Sequence, residues 1–174
     1  MRNPSDVLVR YGVIPETARF DPGEGGPYAR GQCVVARTHR GTELGTVLET
    51  IPRDGSGDDP ADRPCVVRVA LAEDERQFRE HQRECVTQFE TWQRRIADWE
   101  LELELIDLEW TLDRAKLVLY VLNDRGADCT KLAIYAAAEG LGTVEVQPVT
   151  ADGLVRMESP GGGCGSGGCG SCES

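Results

Sequence analysis

Apolar residues recur along this chain with periods that change abruptly, and each change marks an element. Val7 to Ile14 (VLVRYGVI) is β-branched and partly alternating, which predicts a strand. Phe20 to Gly31 is dense in Gly and Pro and predicts turns and loop. Gln32 to Thr38 and Thr42 to Thr50 predict two further strands. His39 to Gly41 joins them as a short hairpin loop, with Gly41 free to take positive φ. Pro52 to Pro64 is polar and aperiodic and is the linker candidate. Cys65 to Leu71 is a compact apolar strand. From Cys85 through Phe89, Trp92, Ile96 and Trp99 the spacing is 4, 3, 4 and 3, one stripe of an amphipathic helix over about Glu73 to Asp98. Gln82 interrupts that stripe, and His81 beside it reads as surface.

Strict alternation then returns. Leu101, Leu103 and Leu105 share one face, after which Ile106, Leu108, Trp110 and Leu112 take over. A one-residue slip inverts every side chain of a strand, so the pattern predicts a β-bulge near Leu105–Ile106. Lys116 to Leu122 is a nearly all-apolar strand. Asp128 is placed to cap a helix over Cys129 to Gly140, with Gly140 as its C-terminal stop. Thr143 to Val149 is a last strand, which Pro148 assigns to an edge.

From Cys65 the order is β-α-β-β-α-β, a ferredoxin-like unit. In that fold the first and third strands are central, and here Cys65–Leu71 and Lys116–Leu122 are the most continuously apolar. Strands apolar on both faces need cover on both. Helices supply one cover; the N-terminal β unit or a second copy of the chain supplies the other. The expected fold is α+β: a small N-terminal β unit (hairpin or partial barrel, residues 1–52), a linker (53–64), the ferredoxin-like unit (65–150), and a disordered Gly/Ser/Cys-rich tail (151–174).

Composition narrows the function. Net charge is −11, which disfavours direct nucleic-acid binding. From Glu73 to Trp110 twelve acids face five arginines. No apolar run reaches the ~18 residues of a membrane span, and MRNPSDVLVRYG lacks the shape of a secretory signal. A cytoplasmic address is expected. No nucleotide loop, Ser/His/Asp set or HExxH motif is present, so a non-enzymatic role is expected. Glu102, Glu104, Asp107 and Glu109 read as the solvated, protective face of an outer strand rather than an acid/base pair.

Chemistry concentrates in the tail, GGGCGSGGCGSCES. Cys164, Cys169 and Cys172 are spaced C-x4-C-x2-C, which lets three thiolates converge on a soft metal. That is also the opening spacing of plant-type [2Fe–2S] loops. A closed site wants a fourth ligand, for which Cys129 is the candidate and Cys85 another. Redox chemistry at Cys169–Cys172 and an inert tail are the rival readings. Cys33, Cys65, Cys85 and Cys129 otherwise sit in periodic segments as small core hydrophobes. Arg76, Arg79 and Arg83 cluster near the start of the long helix as a docking surface for partners.

FDPG at Phe20–Gly23 and V-x-x-T-x-R-G-x-E-x-G-x-V at Val35–Val47 resemble the PSP-one C-terminal domain family, whose bacterial members include YaaT/RicT-type regulators. LDRAKLVLYVLNDRGAD resembles the family's second half. The resemblance implies an adaptor that joins small helical partners in a complex modulating RNA maturation and development, and an associated iron–sulfur cluster, with zinc the alternative. Cys164 to Cys169 matches the first C-G-x3-C of the family's cysteine motifs; the double cysteine is absent, since Gly170 follows. Arg40 and Glu43, the charged residues of the T-x-R-G-x-E-x-G stretch, are partner-contact candidates at the hairpin tip. The family's Arg-rich helix start is here Gly126 to Leu132, with Asp128 and Leu132 kept. The rival function is a redox or cluster-handling protein working through the tail cysteines; self-association is a further expectation.

Overall fold

The computed structural model describes residues 5–53, 63–122, 126–151 and 153–155. It is an α+β fold with two sheets and two helices, in which the second half runs β-α-β-β-α-β in order. The tail, including Cys164, Cys169 and Cys172, and most of the linker lie outside the described residues.

The first sheet contains β1 (Ser5–Tyr11), β2 (Glu16–Phe20), β3 (Cys33–Arg37), β4 (Thr42–Pro52) and β5 (Cys65–Val69), in the order β2-β1-β4-β3-β5. Val7, Val9 and Tyr11 alternate inward on β1 and meet Phe20, Val34, Ala36, Val47 and Val66 in one core. The two outer strands then meet. Asp21, just past β2, donates its N–H to Pro64 O at 2.9 Å and accepts from Val66 N at 2.8 Å. That bridge closes the sheet into a small barrel, which takes in β5 as well as the strands of residues 1–52.

Sequence periodicity reads Val7 to Ile14 as one strand; the structure turns the chain after Tyr11, where Gly12 takes φ +82°, and returns it as β2. Cys65–Leu71 was expected at the centre of the second sheet. Instead β5 pairs antiparallel with β3, next to a bulge, and leaves Val67, Val69 and Leu71 exposed. Its apolar run could serve either sheet; Val66 decides by filling the barrel core.

Both ends of the linker are anchored. Asp6, fully buried, accepts from Arg53 Nε and Arg63 Nη2, each at 2.9 Å. Arg53 also binds Asp21. The backbone N–H of Gly23, followed by Arg53, holds the Asp21 carboxyl below its ordinary range, although burial opposes this.

Helix α1 (Ala72–Asp98) matches the expected span. Asp74 accepts from Leu71 N at 2.7 Å and from Arg68, tying the helix start to β5. At the other end Glu100 takes φ 53°, and Leu101 N donates to Ile96 O, the αL stop that glycine usually supplies. The second sheet follows in the order β6-β7-β8-β9: β6 (Glu104–Trp110), β7 (Leu117–Leu122), β8 (Val144–Thr150) and β9 (Gly153–Leu154). The bulge lies where alternation slips, between Leu105 and Asp107. β6 runs antiparallel to β7, and β8 parallel to it. Pro148 sits on β8 beside the two-residue β9, which pairs with Val149 and Thr150, and its carbonyl accepts from Val155 N at 3.0 Å.

Helix α2 (Ala127–Ala138) joins β7 to β8 and stops at Gly140 (φ 70°), with Leu141 N donating to Ala136 O. Its N-cap is Gly126, two residues earlier than expected. Asp128 instead accepts from Glu102 N at 2.9 Å, so it holds the approach to β6.

β7 is covered on both faces. Leu117, Leu119 and Val121 meet Cys85, Trp92 and Ile96 of α1 and Leu132 and Ala136 of α2. Val118 and Tyr120 face the barrel, where Val13 and Ile14 pack against them. The N-terminal unit is therefore the second cover. The barrel hairpin also bonds directly to the β6–β7 turn: Leu112 N donates to Thr42 O, and Thr42 N to Asp113 Oδ2.

Because β5 belongs to the barrel and β7 needs its cover, a fragment of residues 63–174 is expected to aggregate. Size-exclusion chromatography and urea unfolding check this; a monomeric fragment with a cooperative transition would show that the halves fold separately.

Candidate functional site

The T-x-R-G-x-E-x-G stretch forms the β3–β4 hairpin, and its polar side chains turn inward rather than out. Thr38 N donates to Gly41 O at 2.8 Å, closing the loop, and Thr38 Oγ1 accepts from Arg40 N at 3.1 Å. This folds the Arg40 side chain back over the end of the barrel towards the second sheet. Arg40 is 3% exposed and Glu43 4%. Gly45 is required by space: a Cβ there would lie 2.5 Å from Val9 Cγ1 and 3.3 Å from Arg10 O.

A buried ion cluster results. Arg40 Nη2 donates to Glu43 Oε1 at 2.5 Å, and Arg40 Nη1 donates to Tyr120 Oη at 2.6 Å. Tyr120 Oη donates onward to Glu109 Oε2 at 2.8 Å. That same oxygen accepts from Val13 N at 3.0 Å and lies 3.9 Å from Arg40 Nη2. Thr38 Oγ1 donates to Glu43 Oε2 at 2.7 Å. The guanidinium also stands over the Tyr11 ring, 5.3 Å from its centroid. Gly12 makes room for it: a Cβ there would sit 3.0 Å from Arg40 Nη2, in a backbone conformation with φ +82°.

The electrostatics follow from one cation beside two carboxylates in a water-poor place. Burial works against the Arg40 charge, but Glu43, Tyr120 and Glu109 outweigh it and hold the guanidinium ionised. Burial pushes the Glu43 carboxyl up to about 7, with Glu109 adding to the effect and Arg40 and Thr38 resisting it. Burial raises the Tyr120 phenol, and Glu109 raises it further.

This changes the roles assigned from sequence. Arg40 and Glu43, expected as hairpin-tip contacts for a partner, are enclosed and spent on joining the two sheets. Glu109, expected on a solvated face, is 6% exposed. The bulge does put Asp107 and Glu109 on one side, but that side is the one the barrel covers. His81 is buried rather than surface; it fills the stripe between Phe78 and Cys85, and burial, then Arg114, holds its imidazole below the usual range. The 3-and-4 spacing passes through residue 81 and carried that signal.

Arg76, Arg79 and Arg83 are exposed on α1, where Arg76 pairs with Glu73 and Arg79 lies 3.8 Å from Glu75. Cys129 is half-buried on α2, and burial, then Asp128, raises its thiol, which opposes the thiolate a metal needs. Burial likewise pushes Cys85 up to about 11. Among the described residues no three His, Cys, Asp or Glu side chains are grouped to hold a metal ion. No helix among them is long and apolar enough to cross a membrane.

Two measurements test the cluster. Arg40→Met leaves buried carboxylates without their cation and is expected to cost about 3–5 kcal/mol. Tyr120→Phe removes one link and is expected to cost about 1–3 kcal/mol. Urea denaturation checks both, and losses below ~0.5 kcal/mol, the size of an ordinary surface change, would show that the cluster does not hold the sheets.

pH gives an independent check. Folded Glu43 keeps its proton up to about 7, against an ordinary value of 4.5, so the folded state binds more protons between those limits. Its contribution is then present at acid pH and is lost as pH rises towards 7. Stability of the wild type relative to Glu43→Gln should therefore fall from pH 4.5 to 7 and level off above. Parallel urea midpoints across that range would contradict the assignment.

Comparison with known proteins agrees with the motifs. Residues 64–138, from the last residue before β5 to the end of α2, match the PSP1 C-terminal conserved region. The chain is 27% identical over 159 residues to the stage 0 sporulation protein YaaT of Bacillus subtilis (strain 168). That alignment covers 91% of this chain and 58% of the relative, so the chain spans little more than half of that protein's length. No solved structure matches. With the motif stretch placed at the barrel's end, residues 64–138, which run from β5 through α2, are similar to the PSP1 C-terminal conserved region, and the chain as a whole is similar to YaaT.

Proposed function

We propose that this chain is a non-enzymatic regulatory adaptor of a sporulation or developmental pathway, working in the cytoplasm by holding other proteins together. The observation that carries the reading is the likeness to a stage 0 sporulation protein across 91% of the chain. The fate of the motif residues supports it. Thr38, Arg40, Glu43 and Gly45 are all used to build a rigid two-sheet body, as befits a scaffold whose contacts lie on its surface. Arg76, Arg79 and Arg83 line the outward side of α1 and are the proposed contacts for small helical partners. RNA maturation is the proposed process that such an assembly influences.

The tail is the proposed metal site. Cys164, Cys169 and Cys172 would supply thiolates to an iron–sulfur cluster or to zinc, and neighbouring glycines leave backbone N–H groups free to donate to sulfur. Bound metal would order a stretch that has no apolar residue after Met157 to offset its chain entropy.

The chain, expressed in a Bacillus subtilis strain lacking YaaT, is expected to restore passage beyond stage 0. The triple change Arg76→Glu, Arg79→Glu, Arg83→Glu is expected to abolish the rescue while leaving the circular dichroism spectrum unchanged. Failure of the folded wild-type chain to rescue sinks the developmental reading. Anaerobic absorption and metal analysis test the tail separately: serine at any one of the three cysteines should remove most of the metal. Metal content equal in all variants assigns it elsewhere, and a reversible Cys169–Cys172 disulfide without metal would favour the redox alternative.

A further inference from the structure

Between the last turn of α1 and the start of β6 lies a cleft of about 260 Å³. Its floor is apolar: Ile96, Leu101 and Leu105 are buried beneath it, and Ala97 and Leu103 form its walls. Gln93 and Glu104, both exposed, stand at its rim. None of the motif residues lines it.

The chain segment that forms the cleft is acidic, although Lys131 of α2 lies near Glu102. From Ile96 to Leu108 the chain carries Asp98, Glu100, Glu102, Glu104 and Asp107 and no Lys or Arg. The nearest preceding base, Arg95, is turned to Glu139 at the C-terminal end of α2 and to the Trp92 ring. An apolar hollow with a polar rim is the form in which one large side chain of a partner is taken up. An acidic rim raises the encounter rate of basic segments and rejects acidic ones.

We propose that this cleft docks a protein segment that presents one bulky apolar side chain flanked by Lys or Arg. The apolar side chain enters between Ala97 and Leu103, and the flanking cations lie along Glu100 and Glu104. The site stands apart from the developmental role proposed above, because it concerns a binding event of the purified chain.

The test is fluorescence anisotropy with the full chain and a labelled Lys-Lys-Phe-Lys-Lys peptide. Two control peptides replace Phe by Ala, or every Lys by Glu. The parent peptide is expected to bind at least tenfold more tightly than either control, and binding should weaken as salt rises. Ala97→Trp fills the cleft, and Glu104→Lys reverses its rim; each should weaken binding about tenfold. Both positions are exposed, so the melting temperature should be unchanged. A variant that loses its melting transition is replaced by Gln93→Trp, which blocks the same opening from the solvent side. Equal binding of the Phe and Ala peptides would show general charge attraction and overturn the proposal. So would binding that Ala97→Trp and Gln93→Trp leave intact, or no binding by the parent peptide. Sedimentation velocity covers the remaining occupant: a dimer that Ala97→Trp dissociates would mean the cleft takes a second copy of the chain, and the proposal would be wrong.

Discussion

A guanidinium without access to water must be neutralised where it lies, and in this protein that requirement joins the two halves. Arg40 leaves the barrel hairpin and finds one partner beside it, Glu43, and another on a different sheet, Tyr120. Glu109 receives the Tyr120 hydroxyl and also the N–H of Val13, which belongs to the barrel's first turn. Across the joint the barrel half supplies the donors, Arg40 and Val13 N, and the second half the acceptors, Tyr120 and Glu109. Removing one member while the halves stay packed leaves a buried charge or hydrogen-bonding group without its partner, which is costly.

Around that joint the apolar packing becomes two-sided. β7 carries Leu117, Leu119 and Val121 to the helices and Val118 and Tyr120 to the barrel. The polar atoms of the cluster sit within this second contact, so its hydrogen bonds form where the effective dielectric is low and are strong. The same condition penalises the charged carboxylate, and burial raises Glu43 to about 7 even though Arg40 and Thr38 resist the shift.

Much of this was legible as periodicity. The helix from Ala72 to Asp98 and the bulge at Leu105–Asp107 follow from spacing alone, because each is a local consequence of which residues can share a face. The two-faced burial of β7 was equally plain from its unbroken apolar run. Glycines pointed to stops and turns: Gly140 ends α2 as its position suggested, whereas Gly12, which ends β1, lay inside a run that looked continuous. His81 was readable in the helical stripe and was obscured by its polarity.

What the sequence by itself determined is the set of elements and the faces they must bury, since backbone geometry and side-chain period are properties of neighbouring residues. It did not determine that β5 joins the barrel, because Cys65–Val69 satisfies either sheet until Val66 meets the barrel core and Asp21 bridges to its start. Nor did it determine the place of Arg40, Glu43 and Glu109. A charged residue at a hairpin tip or on an outer strand reads as solvated, and only the approach of residues 11–14 and 120 encloses it. Arg40 and Tyr120 stand 80 positions apart. Burial of a charge is set by what arrives from the distant chain, and that is decided in the tertiary structure alone.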